Sequence, residues 1–441
     1  MSEADKQAAV SGRNGVAITQ HQRRGDGSGY RTYEVYQRER VGESTEKIKP
    51  AQLNSDAYRT DPYPLLEVLR ENYPCYRDWL NNCYWVSQYN DVTSIFADEA
   101  NFESRSCAWY YGQAGKGRDF SEAVAVQTAL TRTFDENVVT LTEQLLTILQ
   151  QSEHPDLVID LIGPLAAGLL GQAFAVADAD QDQFAEWFWQ MKRGAGWDAR
   201  LQQQGKQAMQ ALTQYFAQRL LQIDADPDGS VLAVMKTLDA QVNAEDVVAT
   251  LLEQDHQTLH GGLANMWYLL LAHPDEYAKI TDQRLMKVAY LEAMRHSTPV
   301  ITAERFTRHE VERFGRLLPK GAQVRCSAAG ANRDPRIFAD PDQFIVDRVD
   351  LCQREPRGQY RADGLATGIC FALGRPSIHP AVPEDRPRSR YALIRDTAVA
   401  ASMQIHQALP ELRIAQDASP HLSSLTVGEM HTCWRLPVAW R

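Results

Sequence analysis

Apolar residues recur at helical spacing along most of this chain. The pattern becomes globular at Asp61-Pro62-Tyr63-Pro64, where Leu65, Leu66 and Leu69 fall on one helix face. Longer helical patterns are predicted over 123–134, 138–151, 157–174, 182–191, 201–224 and 244–272. The last is apolar around most of its circumference, as in a helix buried inside a large core. A short segment over 276–281 and a helix over 282–296 follow, and a final helix over 395–409 is stopped by Pro410. Strand signals are fewer. Cys83-Tyr84-Trp85-Val86-Ser87 reads as a strand closing a hairpin, and 91–96 as a short helix. Short strand-like pieces alternate with turns from Thr302 to Val324, Gly, Pro and Asp then dominate to Arg361, and 422–440 reads as a hairpin. The expected fold class is mainly α with a minor β region, its strands clustered at the two ends of the chain. Residues 1–50 read as a polar, partly disordered N-terminal extension, and 51–441 as a single domain.

Composition narrows the class. The chain has 441 residues, 44% of them hydrophobic, enough for a sizeable core. A net charge of −11 disfavours a nucleic-acid partner. The most apolar stretch, 157–174, is interrupted by Asp160, Gly163 and Pro164, so no membrane span is expected. Seven cysteines are scattered without any Cys-x-x-Cys pair. Such usage reads as reduced thiols in a cytoplasmic protein rather than a disulfide framework.

The chemistry lies in an ordered series of short motifs. Leu263-Ala264-Asn265 and His273-Pro274-Asp275 end the long central pattern. Glu292-x-x-Arg295 puts two opposite charges on one helix face. Pro299-Val300 leads to Arg305, and Asn332-Arg333-Asp334-Pro335 and Phe344-x-x-x-Arg348 precede a lone cysteine in Gly364-Leu-Ala-Thr-Gly-Ile-Cys370-Phe. Each piece alone is unspecific. In this order, over about 61–441, the chain resembles a soluble bacterial-type cytochrome P450, a heme-thiolate protein.

The resemblance implies heme b (iron protoporphyrin IX), with Cys370 as the soft axial metal ligand to its iron and Phe371 shielding the sulfur. The plainer reading of a lone cysteine is a buried, inert one. Glu292, Arg295 and Arg348 are expected to form a buried network bracing the cysteine loop. Arg305 is expected to reach a heme propionate, the alternative being a surface residue on a strand. Thr258 falls at the family's oxygen-activating threonine, with Gln257 in place of the usual acid. Gln254 and Asp255 replace a small-residue pair. Asp255 then serves as a displaced proton donor, or the bulky pair orients a polar substrate, or the register is off by one turn.

Several positions depart from the family pattern. Around Cys370 only Gly364 matches the usual loop. Gly374, Pro376, Pro380, Pro383 and Pro387 forbid the helix that usually follows the cysteine. That insertion carries Arg375, Arg386, Arg388, Arg390 and Arg395, read either as a docking patch for an acidic electron donor or as a solvated loop. Ala123 and Gln127 stand where a propionate-binding basic pair is expected. Trp109, Tyr110, Tyr111, Trp187, Phe188, Trp189, Trp197 and Trp434 fall in the substrate-facing segments, which suits a flat or aromatic guest or ordinary core filling.

The expected function is oxygen-dependent monooxygenation of a small organic molecule in specialised metabolism. No Gly-x-Gly-x-x-Gly fingerprint follows a strand, so electrons are expected from a ferredoxin-type partner. The alternatives are oxidative coupling or cyclisation, peroxide-driven or isomerising heme chemistry, and, from another class, a non-catalytic ligand-binding relative.

Overall fold

The computed structural model describes residues 47–112, 117–254, 256–349, 351, 390–424 and 430–440. Two short helices, α1 (Asp56–Thr60) and α2 (Tyr63–Asn72), open the folded unit. Ser55 accepts the Tyr58 N–H and caps α1. Pro64 lies in the first turn of α2, where its missing N–H costs nothing. Leu66 and Leu69 pack with Ile48, Leu53, Tyr58, Trp85 and Ile301 in a small core, so the packed unit is already under way at residue 48.

A hairpin of β1 (Tyr76–Asp78) and β2 (Cys83–Val86) leads to α3 (Tyr89–Phe96), β3 (Phe102–Glu103) and α4 (Cys107–Tyr110). The helical body comprises α5 (Val124–Gln151), α6 (Gly163–Ala173), α7 (Gln181–Arg193), α8 (Ala199–Gln222), α9 (Val231–Leu238), α10 (Ala244–Leu252) and α11 (His256–Ala272). Next come α12 (Pro274–Tyr277), α13 (Gln283–His296), β4 (Thr302–Thr307), β5 (Val311–Arg313), β6 (Arg316–Leu318), β7 (Gln323–Ser327) and α14 (Ala328–Ala331). The last elements are α15 (Arg390–Ala408), β8 (Arg413–Ile414), β9 (His421–Ser424), β10 (His431–Arg435) and β11 (Val438–Ala439). Polar caps readable in the sequence start several helices: Asp198 for α8, Ser230 for α9, Asn243 with Asp246 for α10, and Asp282 for α13.

The main sheet has the order β1-β2-β7-β4-β3. Strand β2 runs parallel to β7, while β4 pairs antiparallel with β7 and sets Arg305 opposite Val324. Strands β9 and β10 form the expected C-terminal hairpin. Helix α6 and the inner turns of α11, including Leu263, Met266, Trp267 and Leu270, are buried in the large core, and α13 packs against both α11 and α15.

The helical expectations needed four changes. The segments 123–134 and 138–151 are one helix, because Asp135-Glu136-Asn137 holds neither Pro nor Gly to interrupt the ladder. The 157–174 pattern begins with a π-helical turn, Val158–Ile162, ahead of Pro164 in the first turn of α6. Helix α15 starts at Arg390, ahead of the expected 395. Most consequentially, the expected single helix over 244–272 is broken after Leu252 into α10 and α11.

Candidate active site

Glu292 and Arg295 share a face of α13, and both are fully buried, at 0% exposure. Arg295 Nε and Nη2 donate to the two carboxylate oxygens of Glu292 at 2.7 and 2.8 Å. Arg348 Nε donates to the same carboxylate at 3.1 Å, and the Ile345 N–H does so at 3.0 Å. The remaining guanidinium N–H groups reach backbone carbonyls. Arg295 donates to those of Asn332, Pro341 and Gln343, and Arg348 to those of Ala339, Asp340 and Gln343. The expected network is therefore present. It adds little net stability as an ion pair, but it fixes the path of the chain from Asn332 to Arg348. Cys370 and Phe371 lie outside the described residues.

The break in the central helix is held by two cations. Where α10 stops, its last carbonyls have no partner within the helix. Lys192 Nζ, from the last turn of α7, donates to the carbonyls of Leu252 and Gln254 at 2.7 and 2.8 Å. Arg390 Nη1, from the first turn of α15, donates to the intervening carbonyl of Glu253 at 2.9 Å. Positive charge is favoured there because a helix C-terminus carries partial negative charge. The Gln254 side chain turns back onto its own helix, its Nε2 donating to the Thr250 carbonyl at 2.9 Å. The Glu253 carboxylate accepts the Ala108 N–H at 3.3 Å. Burial pushes its pKa up, with Lys192 pulling the other way.

Thr258, 1% exposed, lies in the first turn of α11 after this break. Asp255 lies outside the described residues, as does the side chain of Gln257. Farther along α11, Asn265 fixes the helix against its neighbours. Its Nδ2 donates to the carbonyls of Ser297 and His431 at 2.8 and 3.0 Å, and its Oδ1 accepts the Cys433 N–H at 2.9 Å. Gly261 allows the close approach, since a Cβ there would lie 2.6 Å from Pro299 Cβ.

Arg305 sits on β4 with its guanidinium 4.7 Å from the Phe96 ring centroid, and its Nη1 donates to the Glu304 carbonyl at 2.9 Å. Burial lowers its pKa. A cation desolvated in this way gains from an adjacent carboxylate, so Arg305 fits a heme propionate. Ala123 is the N-cap residue of α5, while Gln127 lines a small cavity together with Gln254, Leu259 and Arg390. Arg390, expected in a docking patch or a solvated loop, is instead committed to the helix break and to Glu122, 2.7 Å away. Arg395 is paired with Asp396 at 2.8 Å. Arg375, Arg386 and Arg388 lie outside the described residues.

The aromatic residues do not form one wall. Trp109, Tyr110 and Trp197 meet at ring distances of 5.0, 5.3 and 5.6 Å, with Trp109 and Trp197 exposed. Trp187 packs on Tyr215 and Phe188 stacks on Phe184, within or against the core. The Tyr111 hydroxyl donates to the Met191 carbonyl. Trp189 and Trp434 flank His260, a residue that no local spacing in the sequence singles out.

Comparison with known proteins agrees with this geometry. Residues 271–355 match the cytochrome P450 family model. The cyclomarin C epoxidase CymV of Salinispora arenicola is 24% identical over 76% of this chain and 90% of its own length. The biotin biosynthesis cytochrome P450 of Bacillus subtilis is 22% identical over 67% of this chain and 82% of its own. Among solved structures, the myxobacterial cytochrome P450 CYP267B1 in complex with myristic acid covers 88% of this chain and 99% of its own, with a TM-score of 0.69 at 19% identity. An unusual cytochrome P450-like monooxygenase involved in microbial secondary metabolism covers 87% of this chain and 99% of its own, with a TM-score of 0.67 at 21% identity. No described helix is long and apolar enough to cross a membrane. With the Glu292–Arg295–Arg348 network inside the matched segment and the fold shared along most of its length, the chain belongs to the cytochrome P450 superfamily of oxidoreductases, in its bacterial type.

Proposed function

We propose that this protein is a heme-thiolate monooxygenase acting on a small organic molecule in specialised metabolism. The observation that carries the reading is Thr258, buried in the first turn of α11 directly after a helix break whose carbonyls are already held by Lys192 and Arg390. The relatives named as an epoxidase and as a monooxygenase of secondary metabolism support it.

Cys370 would supply the thiolate that holds heme b, Phe371 would shield it, and Arg305 would pair with a propionate. When bound, a heme with a thiolate ligand supplies oxygen activation, the sulfur pushing electron density toward O–O cleavage. The Thr258 hydroxyl holds a proton at the oxygen side, and Asp255 and Gln257 orient it or relay its replacement. Electrons come from a ferredoxin-type donor.

Oxidative coupling or cyclisation is the second reading. It is favoured by Gln254 and Asp255 standing where the family has two small residues. Turnover under ferredoxin, reductase and dioxygen, compared with peroxide alone, separates the two. Monooxygenation predicts incorporation of one atom of labelled dioxygen into the product, reduced severalfold in Thr258→Ala. Product without label assigns the second reading.

A further inference from the structure

Helix α11 presents another chemical face. His260 follows Thr258 by two residues, which turns the two side chains about 200° apart around the helix axis. His260 is 4% exposed, and neither ring nitrogen has a hydrogen-bond partner among the described residues. Burial lowers its pKa to about 4, so the ring is neutral near pH 7. A neutral imidazole offers one donor and one acceptor, and burying both unused is costly.

The surroundings of His260 are those of a binding site. Its ring packs at 5.0 Å from Trp189 and 5.7 Å from Trp434, whose rings are 6.5 Å apart. Trp434 is fixed by its Nε1 donating to the Ser423 carbonyl at 2.8 Å. The three rings form one wall of a cavity of about 750 Å³ between α5, α6 and α7. Leu145, Val158 and Ala167 line it with apolar surface, and Asp178, Asp182 and Arg193 bring charges of both signs to its wall. That volume is in the range of small-molecule sites.

We propose that this cavity is a second ligand site, separate from the Thr258 side of the helix, for a neutral planar aromatic molecule bearing a hydroxyl. The indoles of Trp189 and Trp434 supply ring contacts. The hydroxyl meets one nitrogen of the neutral imidazole, accepting from its N–H or donating to its bare nitrogen. A neutral His260 offers no counter-charge at the hydroxyl end of the ligand. The site is independent of how the oxygen side works.

The test uses 2-naphthol and the purified full-length protein, with binding measured by calorimetry and any heme response followed as Soret absorbance in the same samples. The proposal predicts a binding phase without Soret change. His260→Phe weakens that phase roughly tenfold or more, as expected for a buried hydrogen bond removed. His260→Gln, which keeps a donor and an acceptor, restores part of it. Circular dichroism melting of both variants checks that the fold is retained, and a crystal soak gives a second reading if either fails to fold. Naphthol beside His260 in the soaked crystal supports the proposal. Binding wholly linked to the Soret change, equal binding by wild type and His260→Phe, or no binding overturns it. Absence of heme from the protein would defeat the monooxygenase reading while leaving the His260 dependence measurable.

Discussion

Lys192 Nζ lies 2.8 Å from the carbonyl oxygen of Gln254, so a cation of helix α7 closes the end of helix α10. The same ammonium reaches the Leu252 carbonyl at 2.7 Å and is itself buried. Lys192→Met leaves both carbonyls without this donor. With about 1–3 kcal/mol lost for each buried acceptor left unsatisfied, the variant should lose about 2–4 kcal/mol in urea unfolding. A loss below about 0.5 kcal/mol would show that other donors take over.

The carboxylate of Glu292 serves two guanidiniums at once, whereas each guanidinium has several carbonyl acceptors besides. Glu292→Gln should therefore be the most damaging single change in the network, costing about 3–5 kcal/mol. Arg348→Met should cost less, because Glu292 keeps Arg295. Arg295→Lys should not rescue, since an ammonium cannot make the forked pair. Thermal unfolding of the three variants gives the ranking directly, and equal losses would refute it.

His260 titrates in a predictable direction. Its folded pKa of about 4 lies below the ordinary 6.5, so the neutral ring contributes stability that is full above pH 6.5 and is lost as pH falls toward 4. Over that window wild type should lose on the order of 3 kcal/mol that His260→Phe keeps. Parallel pH–stability curves for the two proteins would show that the imidazole is solvated rather than buried.

Much of this arrangement was readable in the chain, and the reasons for the remainder are physical. Glu292 and Arg295 are three apart on a helix, and their order relative to Arg348 is linear information, so the network was legible. The helix break was not. Apolar residues continue on both sides of it, from Leu251 and Leu252 to Leu259 and Leu263, and what holds it open comes from Lys192 and Arg390, 62 and 137 residues away from their acceptors Gln254 and Glu253. The fusion of the 123–134 and 138–151 patterns was hidden for the opposite reason, because Asp135-Glu136-Asn137 looked like a loop yet holds no helix breaker. His260 was invisible because its significance lies in Trp189 and Trp434, both brought to it by tertiary packing.

The account stands or falls on iron ligation by Cys370, with Arg305 as its supporting cation. The direct measurement is the reduced, CO-bound absorbance spectrum of wild type and of Cys370→Ser. The account predicts, for wild type, the red-shifted thiolate band from which the family takes its number, and its loss in Cys370→Ser. Arg305→Leu should keep the band position but retain heme less well on gel filtration. A colourless wild-type protein, or a thiolate band that survives Cys370→Ser, would contradict it.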